Sequence, residues 1–420
     1  MEKEKLDNES LNNLIEKIDG KIENVLRKID KLEYENTKNV LNAFHNHNLS
    51  ESDLGQTTGY GYGDIGRDKI DEIFADVLKA ESAIARGQFL SGTHALTVAL
   101  FGLLRPNDTL LSISGTPYDT LQEVIGIIPN NSSLASYGIL YEEIALKGND
   151  FDTEKIIERL KDKSKNRVKV IEVQKSIGYS SRKTIDNEKL KNIIEEIRKV
   201  DKDVIIMADN CYCEFVEETT AIEAGADIVV GSLIKNLGGG IAPNGGYVAG
   251  KENLVDLISE RLTVPGQGRE VGASLGLNRR ILLGLYHAPS AVASSLKTAI
   301  FAAAMLEELG YDISPKYNED RADIVQKIIF GNEKDVISYT QGIQKGSAID
   351  SMYLPEPSDM PGYDDKIIMA SGSFVSGSSI EISCDGPLRP PYIAYQQGGI
   401  TYSYGKFAVI EGIKRLKNIE

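Results

Sequence analysis

Apolar residues between positions 8 and 48 recur mostly at three- and four-residue steps: Leu11, Leu14, Ile15, Ile18, Ile22, Val25, Leu26, Ile29 and Leu32. That spacing predicts an amphipathic helix, packed either on its own domain or on another subunit. The pattern breaks at Thr57-Thr-Gly-Tyr60-Gly-Tyr62-Gly-Asp-Ile-Gly66-Arg67-Asp68. Glycines interleaved with Tyr and Asp signal a shaped loop rather than regular helix. From 68 to about 85 a helical pattern returns.

Beyond Gly87 short apolar runs alternate with helical stretches up to about Gly250. Strands are expected at 109–112, 168–173, 204–208, 227–230 and 247–249, and helices at 94–104, 119–127, 152–161 and 187–200. This alternation predicts an α/β fold, a mostly parallel sheet with helices on both faces. Ligands of such sheets sit at the carboxyl ends of the strands. After Pro289 a long helix to about 309 leads into a smaller α+β domain. The expected division is an N-terminal helical arm (1–56), a large α/β domain (57–290), and a linking helix with the small domain (291–420).

Composition narrows the function classes. The chain has 420 residues, 41% hydrophobic, enough for a sizeable core. It carries 47 basic against 62 acidic residues, a net −15, which disfavours nucleic-acid binding. No apolar run approaches the roughly 20 residues that span a bilayer, so no membrane is expected. The N-terminus is charged without an apolar signal region, so no export is expected. Three cysteines cannot build a disulfide framework, and Cys211-Tyr-Cys213 has no histidine near it in sequence to make a zinc site. A cytoplasmic location fits best.

Four strand-end segments carry candidate chemistry. Ser91-Gly92-Thr93-His94 opens a helix whose free N–H groups suit a phosphate, with Gly92 allowing close approach and Thr93 adding a hydroxyl. The same residues also read as a simple helix cap. In Gly115-Thr-Pro-Tyr118, the tyrosine can stack on a flat heterocycle, or the segment is a plain helix entry. Asp209 ends the apolar run Val204-Ile-Ile-Met-Ala-Asp209-Asn210-Cys211. It can hold a proton on a pyridine nitrogen or cap a helix. Finally, Gly231-Ser232-Leu-Ile-Lys235-Asn-Leu-Gly-Gly-Gly places Lys235 in a glycine-rich turn. Partial desolvation would keep some of its amine neutral and suited to a Schiff base. Together these groups meet the needs of pyridoxal 5′-phosphate (PLP).

The order Gly92-Thr93, Tyr118, Asp209, Lys235 resembles the fold-type I PLP enzymes, specifically the cystathionine/methionine lyase group. Thr93 and Tyr118 stand 25 residues apart, and Asp209 and Lys235 26 apart, both close to that group's pattern. Closer still, Ser-Gly-Thr-His-Ala-Leu, Gly-Thr-Pro-Tyr-Asp-Thr-Leu, Ala-Asp-Asn-Cys-Tyr-Cys-Glu-Phe and Gly-Ser-Leu-Ile-Lys-Asn-Leu-Gly-Gly-Gly-Ile-Ala-Pro resemble the bacterial aluminium resistance protein family. That family is described as methionine gamma-lyase-like or as carbon–sulfur lyases. The resemblance runs from about Thr57 to the C-terminus.

It implies a PLP-dependent transferase-like fold type I and a carbon–sulfur lyase acting on a sulfur-containing amino acid. Lys235 would form the internal aldimine, Asp209 would pair with the pyridine nitrogen, and Tyr118 would stack on the ring. Gly92, Thr93 and Ser232 would bind the phosphate. Cys211 takes a place where the lyase group usually has Thr. Tyr60, Tyr62 and Arg67 are the nearest match to a loop that completes the phosphate site of a neighbouring subunit. A homodimer or homotetramer with shared active sites follows from the same precedent. The segment Glu172-Val-Gln-Lys175-Ser176-Ile-Gly178-Tyr179 departs from the group's Glu-Ser/Thr-Pro-x-Asn-Pro, which makes Lys175 and Tyr179 candidate substrate contacts. Arg389, or secondly Arg269, would clamp the substrate carboxylate. Transamination, racemisation, aldol cleavage, and a PLP-binding stress protein with little turnover stay open beside the lyase reading.

Overall fold

The computed structural model describes residues 7–360 and 365–419. In chain order its elements are α1 (Asn8–Asn46), α2 (Ile65–Leu78), β1 (Ser82–Arg86), α3 (Gly92–Leu103), β2 (Thr109–Ser112), α4 (Asp119–Ile125), β3 (Leu140–Glu143), α5 (Thr153–Lys161), β4 (Val168–Gln174), α6 (Asn187–Arg198), β5 (Ile205–Asp209), β6 (Ile228–Ser232) and β7 (Gly246–Gly250). There follow α7 (Glu252–Leu262), α8 (Asn278–Glu308), β8 (Asp312–Ser314), β9 (Gln326–Ile329), α9 (Glu333–Lys345), β10 (Ile367–Ala370), β11 (Ser383–Pro387), β12 (Ile393–Gln397) and α10 (Tyr402–Lys417). Two compact units result: Lys38–Tyr286, and Met1–Thr37 together with His287–Glu420.

The first unit holds a seven-stranded sheet in the order β1-β7-β6-β5-β4-β2-β3. Strands β6, β5, β4, β2 and β3 are parallel neighbours, while β7 runs against both β6 and β1. All but β7 therefore point the same way, and their carboxyl ends share one edge. The central strands are buried along their whole length, which is why they read as unbroken apolar runs (Ile205-Ile-Met-Ala) and not as alternation. Val170, Met207, Val230 and Val248 of the sheet share a core with Leu96 and Leu100 of α3 and Val255 and Ile258 of α7.

Two strands depart from the sequence reading. The helix expected to reach 85 stops at Leu78, where Lys79 turns left-handed at φ 60°, and Ser82–Arg86 is a wholly buried strand paired with β7. A short buried apolar run such as Ala83-Ile-Ala cannot be told from a helix by periodicity. The edge strand β3, Leu-Tyr-Glu-Glu, is partly exposed throughout and carries no alternating signal.

The second unit has a five-stranded antiparallel sheet in the order β10-β11-β12-β9-β8. Leu11, Ile18 and Ile22 of α1 are buried in one core with Phe301, Met305, Ile328, Tyr339, Val409 and Ile413. The stripe of α1 is thus covered by its own chain, each large side chain contributing about 2 kcal/mol. Lys406 on α10 grips Asp19 of α1 at 2.6 Å.

The helix expected after Pro289 instead begins at Asn278 and carries Pro289 inside it. It is long and apolar enough to cross a membrane, but 89% of its most apolar window is buried inside the protein.

Candidate active site

Three strand ends meet at the start of α3. Ser91 caps that helix by accepting the His94 N–H at 3.1 Å, leaving the first-turn N–H groups facing the carboxyl edge of the sheet. A Cβ placed on Gly92 would lie 3.0 Å from Ser232 Cβ and 3.5 Å from Cys211 Sγ. Gly92, Cys211 and Ser232 therefore come close together, an approach that a side chain at Gly92 would obstruct. Beside them, the Tyr118 hydroxyl donates to Thr93 Oγ1 at 2.9 Å, and the Tyr118 N–H donates to Gln174 Oε1 at 2.8 Å. Burial holds the Tyr118 phenol well above its ordinary range, so it stays neutral. His94 turns away, its Nδ1 accepting from Leu90 N–H at 3.0 Å.

Asp209 closes β5, level with Gln174 on β4 and Val230 on β6. It accepts the Cys211 N–H at 3.0 Å. Burial pushes its carboxyl up, and the nearby Lys235 charge works against that. Lys235 follows β6 in a turn so tight that a Cβ on Gly238 would sit 1.5 Å from the Leu233 carbonyl oxygen. Its Nζ lies 4.0 Å from the centre of the Tyr212 ring and makes no hydrogen bond or ion pair among the described residues. Tyr212 adopts φ 72°, a conformation costly for a bulky residue and common at functional sites.

Burial pulls the Lys235 amine down, but Cys211, Tyr212, Asp209 and Tyr118 pull it up further, and the net direction is up. That direction runs against the partly neutral amine expected from the glycine-rich turn.

Several residues that the sequence did not single out form the wall behind this edge. Glu172 on β4 is 1% exposed and burial pushes it up to about 8. Its Oε2 lies 2.9 Å from the Ser112 hydroxyl, which also lies 2.7 Å from the Gly115 carbonyl oxygen. One hydroxyl proton cannot serve both, so a protonated Glu172 donating to Ser112 satisfies the chain of contacts. Glu214 is equally buried and accepts from the Tyr247 hydroxyl at 2.7 Å. The only sequence signal for either was an acid inside an apolar stretch.

Comparison with known proteins gives the family of the chain. The methionine gamma-lyase family matches residues 11–417. The chain belongs to this family. YnbB of Bacillus subtilis (strain 168), an uncharacterized protein, is 42% identical over 402 residues, covering 95% of this chain and 94% of its own. The crystal structure of a carbon–sulfur lyase involved in aluminium resistance from Clostridium novyi NT is 42% identical with a TM-score of 0.93, covering 97% and 96% of the two chains. The PLP-dependent protein YhfS from Escherichia coli shares 17% identity at a TM-score of 0.60, over 92% of this chain and 96% of that one. That likeness concerns the fold, which is fold type I of the PLP-dependent enzymes.

Other candidates for this family member's site lie elsewhere or are otherwise engaged. Lys175 is 1% exposed; its ammonium donates to Asn187 Oδ1 at 2.6 Å and to Glu217 Oε2 at 3.4 Å. This corrects its reading as a substrate contact, because an internal pair takes the charge. Tyr179 is half-buried in the turn beyond it. Arg182 pins that turn by donating to the carbonyls of Gln174, Lys175, Ser176 and Lys183.

Arg67 is likewise corrected within its own chain. It is 3% exposed and donates to the Gly61 and Gly272 carbonyls and to Asp68, holding the glycine loop in shape. Tyr60 and Tyr62 are exposed on that loop, stacked at 5.6 Å. Arg269 engages Ser82 Oγ at 2.8 Å and Asp256 at 3.0 Å. In the second unit Arg389 pairs with Asp365 at 3.1 Å while half-exposed. Arg321 there contrasts with it: its buried Nε and Nη1 have no hydrogen-bond partner among the described residues, a state that fits an anion better.

Proposed function

We propose that this protein is a PLP-dependent carbon–sulfur lyase acting on a sulfur-containing amino acid. The observation that carries the reading is the convergence of the Gly92–Cys211–Ser232 group, Tyr118, Asp209 and Lys235 at one edge of the sheet. The residues fit the cofactor. The start of α3 and the Ser232 hydroxyl would hold its phosphate, the Tyr118 ring would lie against its heterocycle, and Lys235 would bond its aldehyde. PLP, when bound, supplies an electron sink for the charge left on the substrate's alpha carbon.

The chain's own groups do the rest. Asp209, buried and with its N–H contact on one side, would keep a proton on the ring nitrogen. Lys235, displaced by the substrate amine, would take the alpha proton and carry it. Tyr118 is too weak an acid to serve as a phenolate base at neutral pH, so it positions and does not abstract. The exposed Tyr60–Tyr62 pair is the part of the large unit we read as offered to a second copy in a homodimer or homotetramer.

The test is to incubate purified protein with PLP, reduce with borohydride, and map the modified peptide. A separate, unreduced sample with PLP is given sulfur amino acids and the products are analysed. A label on Lys235, with free thiol and 2-oxo acid released, supports the lyase. A label on Lys235 with accumulation of the amino form of the cofactor points to transamination. A label with no carbonyl product from any sulfur amino acid points to a binding role.

A further inference from the structure

The segment that starts at Glu172 departs from the lyase group's pattern, and the chemistry proposed above leaves it unused. Gln174 stands where that pattern has its first proline. It closes β4, level with Asp209 at the end of β5. Gln174 is 7% exposed, and its side chain joins two turns. Oε1 accepts the Tyr118 N–H at 2.8 Å, and Nε2 donates to the Ser176 carbonyl at 3.0 Å. One orientation of the amide serves both, because the first partner is a donor and the second an acceptor. The backbone of Gln174 adds to the hold: its N–H donates to Ser114 Oγ at 3.0 Å, and its carbonyl accepts from Arg182 at 2.7 Å. A proline could make only the last of these contacts.

Glu172 stands two residues earlier, on the same face of β4. Its Oε2 lies 2.9 Å from the Ser112 hydroxyl, which lies 2.7 Å from the Gly115 carbonyl oxygen. The loop from β2 to α4 is therefore held near its start by Glu172 and at its end by Gln174. Between them Gly115 adopts φ 90°, with open space where a side chain would be. Packing does not constrain the loop at that point, so the contacts to β4 carry more of its placement. Tyr118 enters α4 without a side-chain cap, its N–H on Gln174 and its hydroxyl on Thr93 Oγ1 at 2.9 Å. The residue is gripped at both ends, by β4 and by the start of α3. A Cβ on Gly178 would come 3.1 Å from Gln174 Nε2 and 3.8 Å from Tyr118 Cβ, so the second turn lies close against this pair.

We propose that Gln174 is a positioning residue that sets the place of the Tyr118 ring and contributes to PLP binding through that ring. The proposal rests on the reading of Tyr118 as the ring that lies against the heterocycle. The preferred stacking geometries are specific, so a tilted ring loses part of its contact. The direction of the Tyr118 side chain follows from its backbone, which Gln174 holds at the N–H. Gln174→Leu keeps a side chain of similar size and leaves the Tyr118 N–H and the Ser176 carbonyl without this partner. The turn then shifts to satisfy them elsewhere, and the ring shifts with it.

The experiment is a double-mutant cycle. PLP is titrated into the cofactor-free forms of wild type, Gln174→Leu, Tyr118→Leu and the double variant, and the visible circular dichroism of bound PLP is recorded. Gln174→Leu should weaken PLP about tenfold and alter the dichroic band, which depends on how the protein holds the heterocycle. In the Tyr118→Leu background the same substitution should weaken PLP by less than about twofold, since no ring is left to place. A glutamine that serves the fold alone would cost the same in both backgrounds.

A folded Gln174→Leu protein with wild-type affinity, or with an unaltered band, overturns the proposal. An equal loss with and without the Tyr118 ring overturns it too. If Gln174→Leu does not fold, the cycle is read with Gln174→Glu, which keeps the shape and the acceptor for Tyr118 but replaces the amide that donates to Ser176. A loss confined to the protein that has the Tyr118 ring supports the proposal; no loss, or an equal loss in both backgrounds, overturns it. A wild type that binds no PLP, or a Tyr118→Leu protein that binds it as tightly as the wild type, sinks the functional reading of Tyr118 and this inference with it. Weakened binding on removal of the ring, with additive losses at Gln174, sinks this inference alone.

Discussion

Lys235 and Lys175 occupy matching places, each just beyond the carboxyl end of a parallel strand, and they differ in what their amines hold. Lys175 follows β4, is 1% exposed, and gives its ammonium to Asn187 and Glu217. Lys235 follows β6 and touches the face of Tyr212 at 4.0 Å. A cation over a ring is held without any of its three N–H bonds being fixed in direction. The contrast shows that a strand-end lysine is read by what its amine already holds. Strand-end position and glycine content are shared by too many structural lysines to decide.

The sharpest way to break the contrast is Lys235→Ala. It should abolish both the borohydride-fixed PLP adduct and turnover; a lysine adduct that persists places the chemistry elsewhere. Lys175→Met should do the reverse. Removing one partner of a buried pair leaves Glu217 uncompensated and costs about 3 kcal/mol, read as a lower urea midpoint, while the adduct on Lys235 still forms. A Lys175→Met protein of normal stability that fails to bind substrate would restore Lys175 to the site.

Carboxyls divide along the same line, and pH exposes it. Both oxygens of Glu217 are engaged, by the Asn187 N–H at 2.8 Å and by Lys175. Glu172 has one oxygen at Ser112 and the other without a partner among the described residues. Unfolded, Glu172 titrates near 4.5, and folded at about 8. Between those values the native state binds the extra proton, so stability falls as pH rises across that window, by up to about 1.4 kcal/mol per pH unit. Glu214, held near 7, adds a second loss of the same sign ending about one unit earlier. Glu172→Gln should flatten the Glu172 part of the decline, measured as urea unfolding at several pH values between those limits. An unchanged slope would mean that Glu172 is ionised in the folded protein.

Legibility in the sequence followed the same physics. The buried parallel strands announced themselves as apolar runs, and β2 begins and ends where expected. Strand β1 was hidden because Ala83-Ile-Ala fits either period, and β3 because an exposed edge has none. Pro289 misled because a missing N–H usually ends a helix, yet α8 runs through it. The residues now facing one another around Gly92 were visible as loops in the right order. The surroundings of Lys235 and the contacts of Glu172 and Glu214 were not, since they depend on which side chains cross from neighbouring strands. No spacing rule along one strand contains that information.

The smallest effect tests the close approach at Gly92. Gly92 lies in helical backbone at a negative φ, so alanine suits its conformation and improves helix propensity by up to about 1 kcal/mol. The added Cβ would press on Ser232 Cβ at 3.0 Å and sit 3.7 Å from Ser232 Oγ. These contacts are tight but borne by one small side chain, so Gly92→Ala should melt within a few degrees of the wild type. The methyl group would nevertheless stand where a phosphate must approach the α3 N–H groups and the Ser232 hydroxyl. PLP affinity should fall about tenfold, or about 1.4 kcal/mol, by titration of the cofactor-free protein. An affinity equal to that of the wild type would mean that the start of α3 is an ordinary capped helix, and that Lys235 meets its ligand without this phosphate seat.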